Sequence, residues 1–114
     1  MNFNKLTIKA SEAIQEANNI CSSRNNTQIT TEHLFYAMLE QNDWYLPAIL
    51  RKLNANKEQI KAESLILIDN LPKIQWTSQI GISSELNQIL EKSETIMKEI
   101  GDSYVTTEHF FLAI

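Results

Sequence analysis

The chain contains two copies of one sequence pattern, separated by 76 residues. Residues 29–38 (ITTEHLFYAM) return as residues 105–114 (VTTEHFFLAI). The same offset aligns the apolar positions of the preceding stretch, so that Ala10, Ala13, Ile14, Ile20 and Cys21 match Leu86, Ile89, Leu90, Ile96 and Met97. Because apolar positions match apolar positions at the three- and four-residue spacing of a helix, the offset predicts two copies of one helical unit.

Residues that typically start or end helices place four helices in the first copy. With 2 glycines and 2 prolines in 114 residues, the chain has too few turn-forming residues for an all-β fold. The apolar spacing predicts a first helix over residues 7–24, and Thr30, Pro47 and Asn56 are typical of helix starts. The fourth helix is expected to turn three side chains inward: Ile60, Leu67 and Ile68. The first copy is predicted to span residues 1–71.

The second copy is expected to contain only the first two of these helices. Residues 72–82 have no apolar period and are predicted to link the copies. Ser83 then caps a long helix whose apolar stripe reaches Ile100, Gly101 ends it, and Thr106 caps the last helix. The second copy, residues 83–114, would thus be truncated within a single all-α domain of residues 1–114. Part of its apolar stripe should then face water, another chain or a rearranged linker, among Leu86, Ile89, Leu90, Phe110, Phe111 and Leu112.

Composition and charge exclude several classes of function. The net charge is −4 and no basic cluster is larger than Arg51-Lys52, so nucleic-acid binding is not expected. The N-terminus lacks the apolar core of a signal peptide, and no apolar run approaches the roughly 20 residues of a membrane span. A cytoplasmic protein without membrane contact is therefore expected. The single cysteine, Cys21, lies on the apolar stripe of the first helix, which predicts a buried, unreactive thiol.

The pairs Glu32-His33 and Glu108-His109 are the strongest candidates for metal binding or acid–base catalysis. A zinc-binding helix needs two ligands four residues apart, whereas each histidine here is alone in its helix. The simpler interpretation is that threonine caps each helix, glutamate complements the helix dipole and histidine packs near the helix start. Alternatively, a fixed glutamate could accept an arginine, a lysine or a free amine of a ligand. The chain has neither a nucleophile–base arrangement nor a phosphate-binding loop, so no enzymatic activity, metal or cofactor is expected.

Three aromatic residues outside the helical stripes are further candidates: Trp44, Tyr45 and Trp76. Aromatic side chains in connections often anchor a bound partner. Packing over the junction between the two copies is an equally good interpretation. The sequence leaves both open.

Several segments together resemble the N-terminal repeat domain of Clp-type AAA+ unfoldases. They are residues 1–17, the two Thr-Glu-His helix starts, residues 46–50 (LPAIL) and residues 70–74 (NLPKI). The N-terminal segment, residues 2–10, and the linker sequence Leu71-Pro72-Lys73 are most similar to the ClpB disaggregase branch. The doubled Thr-Glu-His is more similar to the ClpC branch, which feeds a protease. The resemblance implies two pseudo-twofold-related four-helix repeats, with a peptide groove between or beside them.

The resemblance also implies a function and a set of site residues. The chain would recruit misfolded or aggregated polypeptide to the ATPase ring of a homohexameric parent that works with an Hsp70-type chaperone system. ATP and magnesium would bind only in the ATPase domains of that parent. In the family, positions matching Thr7, Asp102 and Glu108 contribute to substrate binding. In the ClpC branch both Thr-Glu-His sites accommodate modified arginine, so the resemblance implies that Glu32 is a substrate-binding residue as well. An adaptor- or marked-substrate-docking domain of a ClpC/ClpA-type protease unfoldase, or a free-standing regulator, remains an alternative.

Overall fold

The computed structural model describes residues 3–73 and 81–114, and it confirms the predicted all-α fold. A 3₁₀ turn at Phe3–Lys5 precedes six helices, which are α1 Ile8–Ser23, α2 Thr31–Gln41, α3 Leu46–Lys52, α4 Lys57–Asp69, α5 Ser84–Ile100 and α6 Thr107–Ala113. Two strands of two residues each, β1 Gln28–Ile29 and β2 Gly81–Ile82, pair in parallel. No helix in the described ranges has the length and apolar content needed to cross a membrane.

The starts of α1 and α5 are built in the same way. The Thr7 hydroxyl accepts a hydrogen bond from the Ala10 backbone N–H at 3.2 Å, and the Ser83 hydroxyl accepts one from Leu86 N–H at 3.1 Å. Both capping residues have extended backbone, as N-caps do. Donor and acceptor each shift by 76 residues between the copies, so the predicted repeat holds at the level of single hydrogen bonds.

The ends of these two helices also match. Asn25 after α1 and Gly101 after α5 both adopt the left-handed conformation, with φ of 57° and 90°. The next residue in each copy donates its backbone N–H to a carbonyl in the last turn of the helix. Asn26 N–H donates to the Cys21 carbonyl and Asp102 N–H to the Met97 carbonyl, both at 3.0 Å. Asparagine and glycine are the residues that adopt this conformation most readily, which explains why they occupy equivalent positions.

Backbone hydrogen bonds join the two copies in a reciprocal way. Ahead of α1, Thr7 N–H donates to the Val105 carbonyl at 3.0 Å. Ahead of α5, Ser83 N–H donates to the Ile29 carbonyl at 2.9 Å. The segment that precedes the first helix of each copy therefore pairs with the segment that precedes the second helix of the other copy. Such reciprocity is the signature of a twofold relation and confirms the pseudo-twofold arrangement.

A single core forms between the copies. Its buried side chains come from both, and include Ala10, Ala13, Ala17, Leu34, Met38, Leu86, Leu90, Met97 and Phe110. Phe35 and Phe111, which occupy equivalent positions, meet edge to face with ring centroids 6.1 Å apart. Two equivalent residues can touch only near the axis that relates them, so this pair marks the pseudo-twofold axis.

Two predicted packing relations are wrong. Leu67 was expected to point inward but is exposed, because α4 packs against α2 through a narrow face that buries Ser64 and Ile68. Leu67 precedes Ile68 and so lies about 100° away around the helix. Ile100 was expected to extend the stripe of α5 but is also exposed, in the last turn before Gly101.

Part of the apolar stripe of the second copy was expected to be uncovered, and the structure exposes one of the six candidate residues while it buries three of them fully. Leu86, Leu90 and Phe110 are fully buried, because the first copy covers the inner face of the second in one shared core. Leu112, on the outer face of α6, is 61% exposed as expected. The boundaries predicted between the repeats stay predictions, since residues 74–80 of the linker, including Trp76, lie outside the described residues.

Candidate functional site

The histidines of the two Thr-Glu-His motifs cap their own helices. The Thr30 backbone N–H donates to Nδ1 of His33 at 2.9 Å, and the Thr106 N–H donates to Nδ1 of His109 at 2.8 Å. Each histidine is at the third helical position, where glutamate or glutamine usually closes a capping box. The prediction that these histidines pack near the helix start is confirmed.

The second ring nitrogen of each histidine is also used within the protein. Because Nδ1 accepts a hydrogen bond, the neutral ring carries its proton on Nε2. Nε2 of His33 lies 2.9 Å from Asn26 Oδ1, and Nε2 of His109 lies 3.0 Å from Asp102 Oδ2. Burial lowers the pKa of His33, and the nearby Glu32 carboxylate opposes that shift. Asp102, although 51% exposed, is thus a partner of His109.

Two grooves lie where the copies meet, and they are related by the same 76-residue offset. One, with a volume of about 480 Å³, is called here the aromatic groove and is lined by Thr7, Ile8, Lys9, Asp43, Trp44, Tyr45, Thr106, Thr107 and Glu108. The other, of about 610 Å³, is called the polar groove, and its lining includes Asn26, Thr30, Glu32, Leu71, Pro72, Ile82, Ser83, Ser84 and Glu85. In each, the start of a long helix from one copy faces a Thr-Glu-His start from the other.

A chain of hydrogen bonds forms the wall of the aromatic groove. The Tyr45 hydroxyl bonds to the Thr107 hydroxyl, which donates to Asp43 Oδ2 at 3.1 Å. The other carboxylate oxygen of Asp43 lies 4.0 Å from Lys9 Nζ. Burial is the main reason that the pKa of Tyr45 rises to about 12, so the phenol stays neutral and can donate. These bonds hold the α2–α3 connection against α6.

The predicted site residues divide between these places. Thr7 and Glu108 meet in the aromatic groove, and Glu32 lies in the polar groove. Asp102 is not among the described residues that line either groove. Thr7 has a structural task as well, since its hydroxyl caps α1. Whether any of the four contacts a ligand stays a prediction.

The candidate aromatic residues separate into one buried and one exposed side chain. Tyr45 is 8% exposed and packs on Phe111, with ring centroids 5.8 Å apart. Trp44 is 84% exposed and contacts Tyr45 edge to face at 5.7 Å. Tyr45 therefore packs over the repeat junction, and Trp44 presents its indole to the groove. Sequence reasoning missed Asp43, because its partner Thr107 is distant in the chain.

Two further predictions concern reactive or metal-binding side chains. Cys21 is a free, buried cysteine, as predicted, and burial raises the pKa of its thiol. Across the two described ranges, no group of three or more histidine, cysteine, aspartate or glutamate side chains is arranged to hold a metal ion.

Sequence comparison identifies the family. Residues 5–114 match the Clp repeat (R) N-terminal domain. The chain belongs to this family. Its relatives include the chaperone protein ClpB of Clostridium perfringens, 32% identical over 100% of this chain, and that of Bacteroides thetaiotaomicron, 35% identical over 100% of this chain. The chain spans only 14% and 13% of the lengths of these two relatives. The predicted resemblance to the ClpB branch is confirmed.

Solved Clp N-terminal domains have the same fold. The N-terminal domain of Hsp104 from Candida albicans matches 96% of this chain with a TM-score of 0.85 and 22% identity, and the match covers 72% of that domain. The ClpV1 N-terminal domain from E. coli matches 96% of this chain with a TM-score of 0.86 and 24% identity, and the match covers 67% of it. A ClpV N-domain in complex with a VipB peptide matches 96% of this chain, covering 67% of that domain, with a TM-score of 0.81 at 19% identity.

Proposed function

We propose that this Clp N-terminal domain binds exposed segments of misfolded or aggregated polypeptide and delivers them to the ATPase ring of a ClpB-type disaggregase. The observation that carries the proposal is the aromatic groove, where Thr7 and Glu108 from different copies face each other beside exposed apolar side chains. Identities of 32% and 35% to chaperones named ClpB support this branch of the family.

The chemistry of the groove suits weak binding of many sequences. Ile8 and Trp44 expose large apolar surfaces at its rim, while the Thr7 and Glu108 side chains supply polar contacts. An extended, unfolded segment can place apolar side chains against such a surface without a fixed sequence. Binding of an unfolded model polypeptide is expected to be micromolar or weaker. The peptide complex of a related ClpV domain supports a peptide-binding role for the fold.

The rest of the proposal concerns the parent protein. We infer a cytoplasmic homohexamer that hydrolyses ATP with magnesium in its ATPase domains and cooperates with an Hsp70-type chaperone system. The N-terminal domain itself would have no enzymatic activity and no cofactor. The complete sequence of the parent protein tests the inferred ATPase activity, because such a parent must contain a phosphate-binding loop Gly-x-x-x-x-Gly-Lys-Ser/Thr.

A second candidate function is docking of an adaptor or a marked substrate to a ClpC/ClpA-type protease unfoldase. It is favoured by the polar groove, whose described lining contains two carboxylates, Glu32 and Glu85, and no lysine or arginine to pair with them. A groove lined by such carboxylates suits a specific charged ligand better than a nonspecific apolar segment.

Chemical-shift mapping distinguishes the two candidates. A ¹⁵N-labelled domain is titrated with a permanently unfolded, reduced and alkylated polypeptide. We expect the signals of Thr7, Ile8 and Glu108 to move, and Glu108→Ala or Ile8→Ser to weaken binding. The exposed Glu99→Ala variant on α5 is the matched control and should bind as the wild type does. Shifts confined to the polar groove would favour the docking function and contradict recruitment through the aromatic groove.

A further inference from the structure

We propose that His33 is an acid-sensitive switch for the polar groove: protonation of its buried ring loosens that groove, whereas the equivalent His109 tolerates protonation because Asp102 faces it. The proposal goes beyond the proposed function, because it concerns the regulation of one groove and holds for any ligand. It follows from one difference between the copies, which have Asn26 and Asp102 at equivalent positions.

The His33 ring connects three segments around the polar groove. The ring is fully buried, Nδ1 accepts the Thr30 N–H, and Nε2 lies 2.9 Å from Asn26 Oδ1. Thr30 precedes α2 and Asn26 follows α1, and both line the groove. Nδ2 of Asn26 donates in turn to the carbonyls of Ile68 and Pro72, each at 3.4 Å. A change at the ring therefore reaches the start of α2, the end of α1 and the segment after α4.

These contacts require a neutral ring. A protonated imidazole donates from both nitrogens, so Nδ1–H would point at the Thr30 N–H, donor against donor. The Thr30 hydroxyl, 2.9 Å from Nδ1, can accept from the ring instead, but the Thr30 N–H then loses its acceptor. The charge would also be buried against the neutral amide of Asn26, which is unfavourable without a charged partner. Burial accordingly lowers the pKa of His33.

The surrounding elements do not supply the missing charged partner. Within the described ranges, no carboxylate is close enough to His33 to form an ion pair. The titratable groups nearby are Glu32 and Glu85 in the polar groove, Cys21 near the end of α1, Lys73 beside Asn26, and the ion-paired Arg24 and Asp69. Of these, the Glu32 carboxylate opposes the effect of burial on the His33 pKa, and burial remains the larger effect.

The second copy contains the charge compensation that the first copy lacks. Nε2 of His109 lies 3.0 Å from Oδ2 of Asp102, a carboxylate that is 51% exposed and therefore hydrated. Protonation of His109 would form an ion pair with this carboxylate, and a charge-assisted hydrogen bond is stronger than a neutral one. The Thr106 N–H would lose its acceptor, but the ion pair would hold the ring against the start of α6. Acid should therefore loosen one groove and not the other.

Hydrogen exchange, followed by NMR on the whole 114-residue chain, measures the opening of the two helix starts. The Leu34 N–H donates to the Thr30 carbonyl in the first turn of α2, and the Phe110 N–H makes the equivalent bond to Thr106 in α6. Protection factors of both amides are compared between about pH 7.5 and about pH 5. Between about pH 6.5 and the lower folded-state pKa of His33, we expect opening at Leu34 to become about tenfold more favourable per pH unit. Protection at Phe110 should stay nearly constant. Equal losses at both amides would overturn the proposal.

Two variants of the first copy assign the acid sensitivity to its residues. His33→Gln has no titratable ring and can still close the capping box, so the protection of Leu34 should no longer fall in acid. Asn26→Asp supplies a carboxylate at the position equivalent to Asp102 and should have the same effect. Acid sensitivity at Leu34 that persists in His33→Gln would overturn the proposal.

The reciprocal variant decides the question even if Asn26→Asp does not fold. Asp102→Asn changes a half-exposed side chain and gives the second copy the amide of the first. We expect it to make the protection of Phe110 fall in acid, as that of Leu34 does in the wild type. Glu99→Gln, which removes an exposed carboxylate of α5, is the matched control and should leave Phe110 insensitive. A Phe110 amide that stays insensitive in Asp102→Asn would contradict the role given to the carboxylate and overturn the proposal.

Discussion

Asn26 and Asp102 occupy equivalent positions, and they distinguish the two buried histidines. His33 hydrogen-bonds through Nε2 to a neutral amide that is itself buried, whereas His109 bonds to a carboxylate that is half exposed. The Thr-Glu-His motif predicted the helix starts and the position of the histidines, because caps are local. It could not predict the Nε2 partners, which depend on how the preceding helix ends and returns.

The lowered pKa of His33 predicts a pH dependence of stability. Burial holds its folded-state pKa below the unfolded value of about 6.5, so the unfolded chain takes up a proton that the folded chain does not. The stabilising contribution is therefore fully present above about pH 6.5, and it is lost as the pH falls below that value and through the lower folded-state pKa. Urea unfolding between about pH 5 and about pH 7.5 should show a smaller pH dependence in His33→Gln than in the wild type. Glutamine at this position can still close the capping box. Identical pH dependences would show that His33 protonates equally in both states.

The cap at Thr7 predicts a difference between two substitutions. Thr7→Ala removes the acceptor for Ala10 N–H and should lower the free energy of unfolding by about 1 kcal/mol. Thr7→Ser should change it little, because Ser83 makes the same hydrogen bond at the equivalent position. Urea denaturation measures both. If alanine and serine have the same effect, the hydroxyl does not cap α1. The result also matters for binding studies, in which Thr7→Ser is the variant that preserves the helix start.

At the scale of elements, helices were predictable from the sequence and their pairing was not. The 76-residue offset and the cap residues located the helix starts at Thr7, Thr30 and Ser83 because both signals are local. The pairing between the copies leaves no pattern in the sequence, since a strand of two residues, such as Gln28–Ile29, is too short to show alternation. The grooves form only because the copies pair in this way. The residue pattern alone could therefore not predict that Thr7 and Glu108 belong to one site, and only the family resemblance grouped them.

The contact between α2 and α6 at the pseudo-twofold axis can be measured by a double-mutant cycle. Phe35 and Phe111 meet edge to face, a favoured geometry for aromatic rings. Phe35→Leu, Phe111→Leu and the double variant should give a coupling free energy of about 0.5–1.5 kcal/mol in urea unfolding. The pair Phe35→Leu and Tyr104→Leu, whose second member is exposed ahead of α6, is the control and should be additive. Additivity in the Phe35–Phe111 cycle would contradict a direct contact at the axis.

At the scale of the whole molecule, exposed apolar side chains gather around the outer face of α6. Leu112 lines a pocket of about 260 Å³ against α3, and Ile114 lines one of about 330 Å³ against α4 and the exposed Leu67. The Phe35–Phe111 pair lies between these pockets, since each phenylalanine lines one of them. Contiguous apolar surface of this kind favours association of protein molecules.

Polar substitutions on this face should therefore reduce self-association without unfolding the chain. Leu112 and Ile114 are 61% and 48% exposed, so Leu112→Gln with Ile114→Gln should lower the free energy of unfolding by less than about 1 kcal/mol. Phe110→Ala, at a fully buried position on the same helix, is the contrasting variant and should cost about 3–5 kcal/mol. Sedimentation velocity over a range of concentrations should show the wild type associating and the double glutamine variant remaining monomeric. A double variant that is as destabilised as Phe110→Ala would mean that both side chains are buried in solution. Equal association of the wild type and the variant would place the contact elsewhere on the surface.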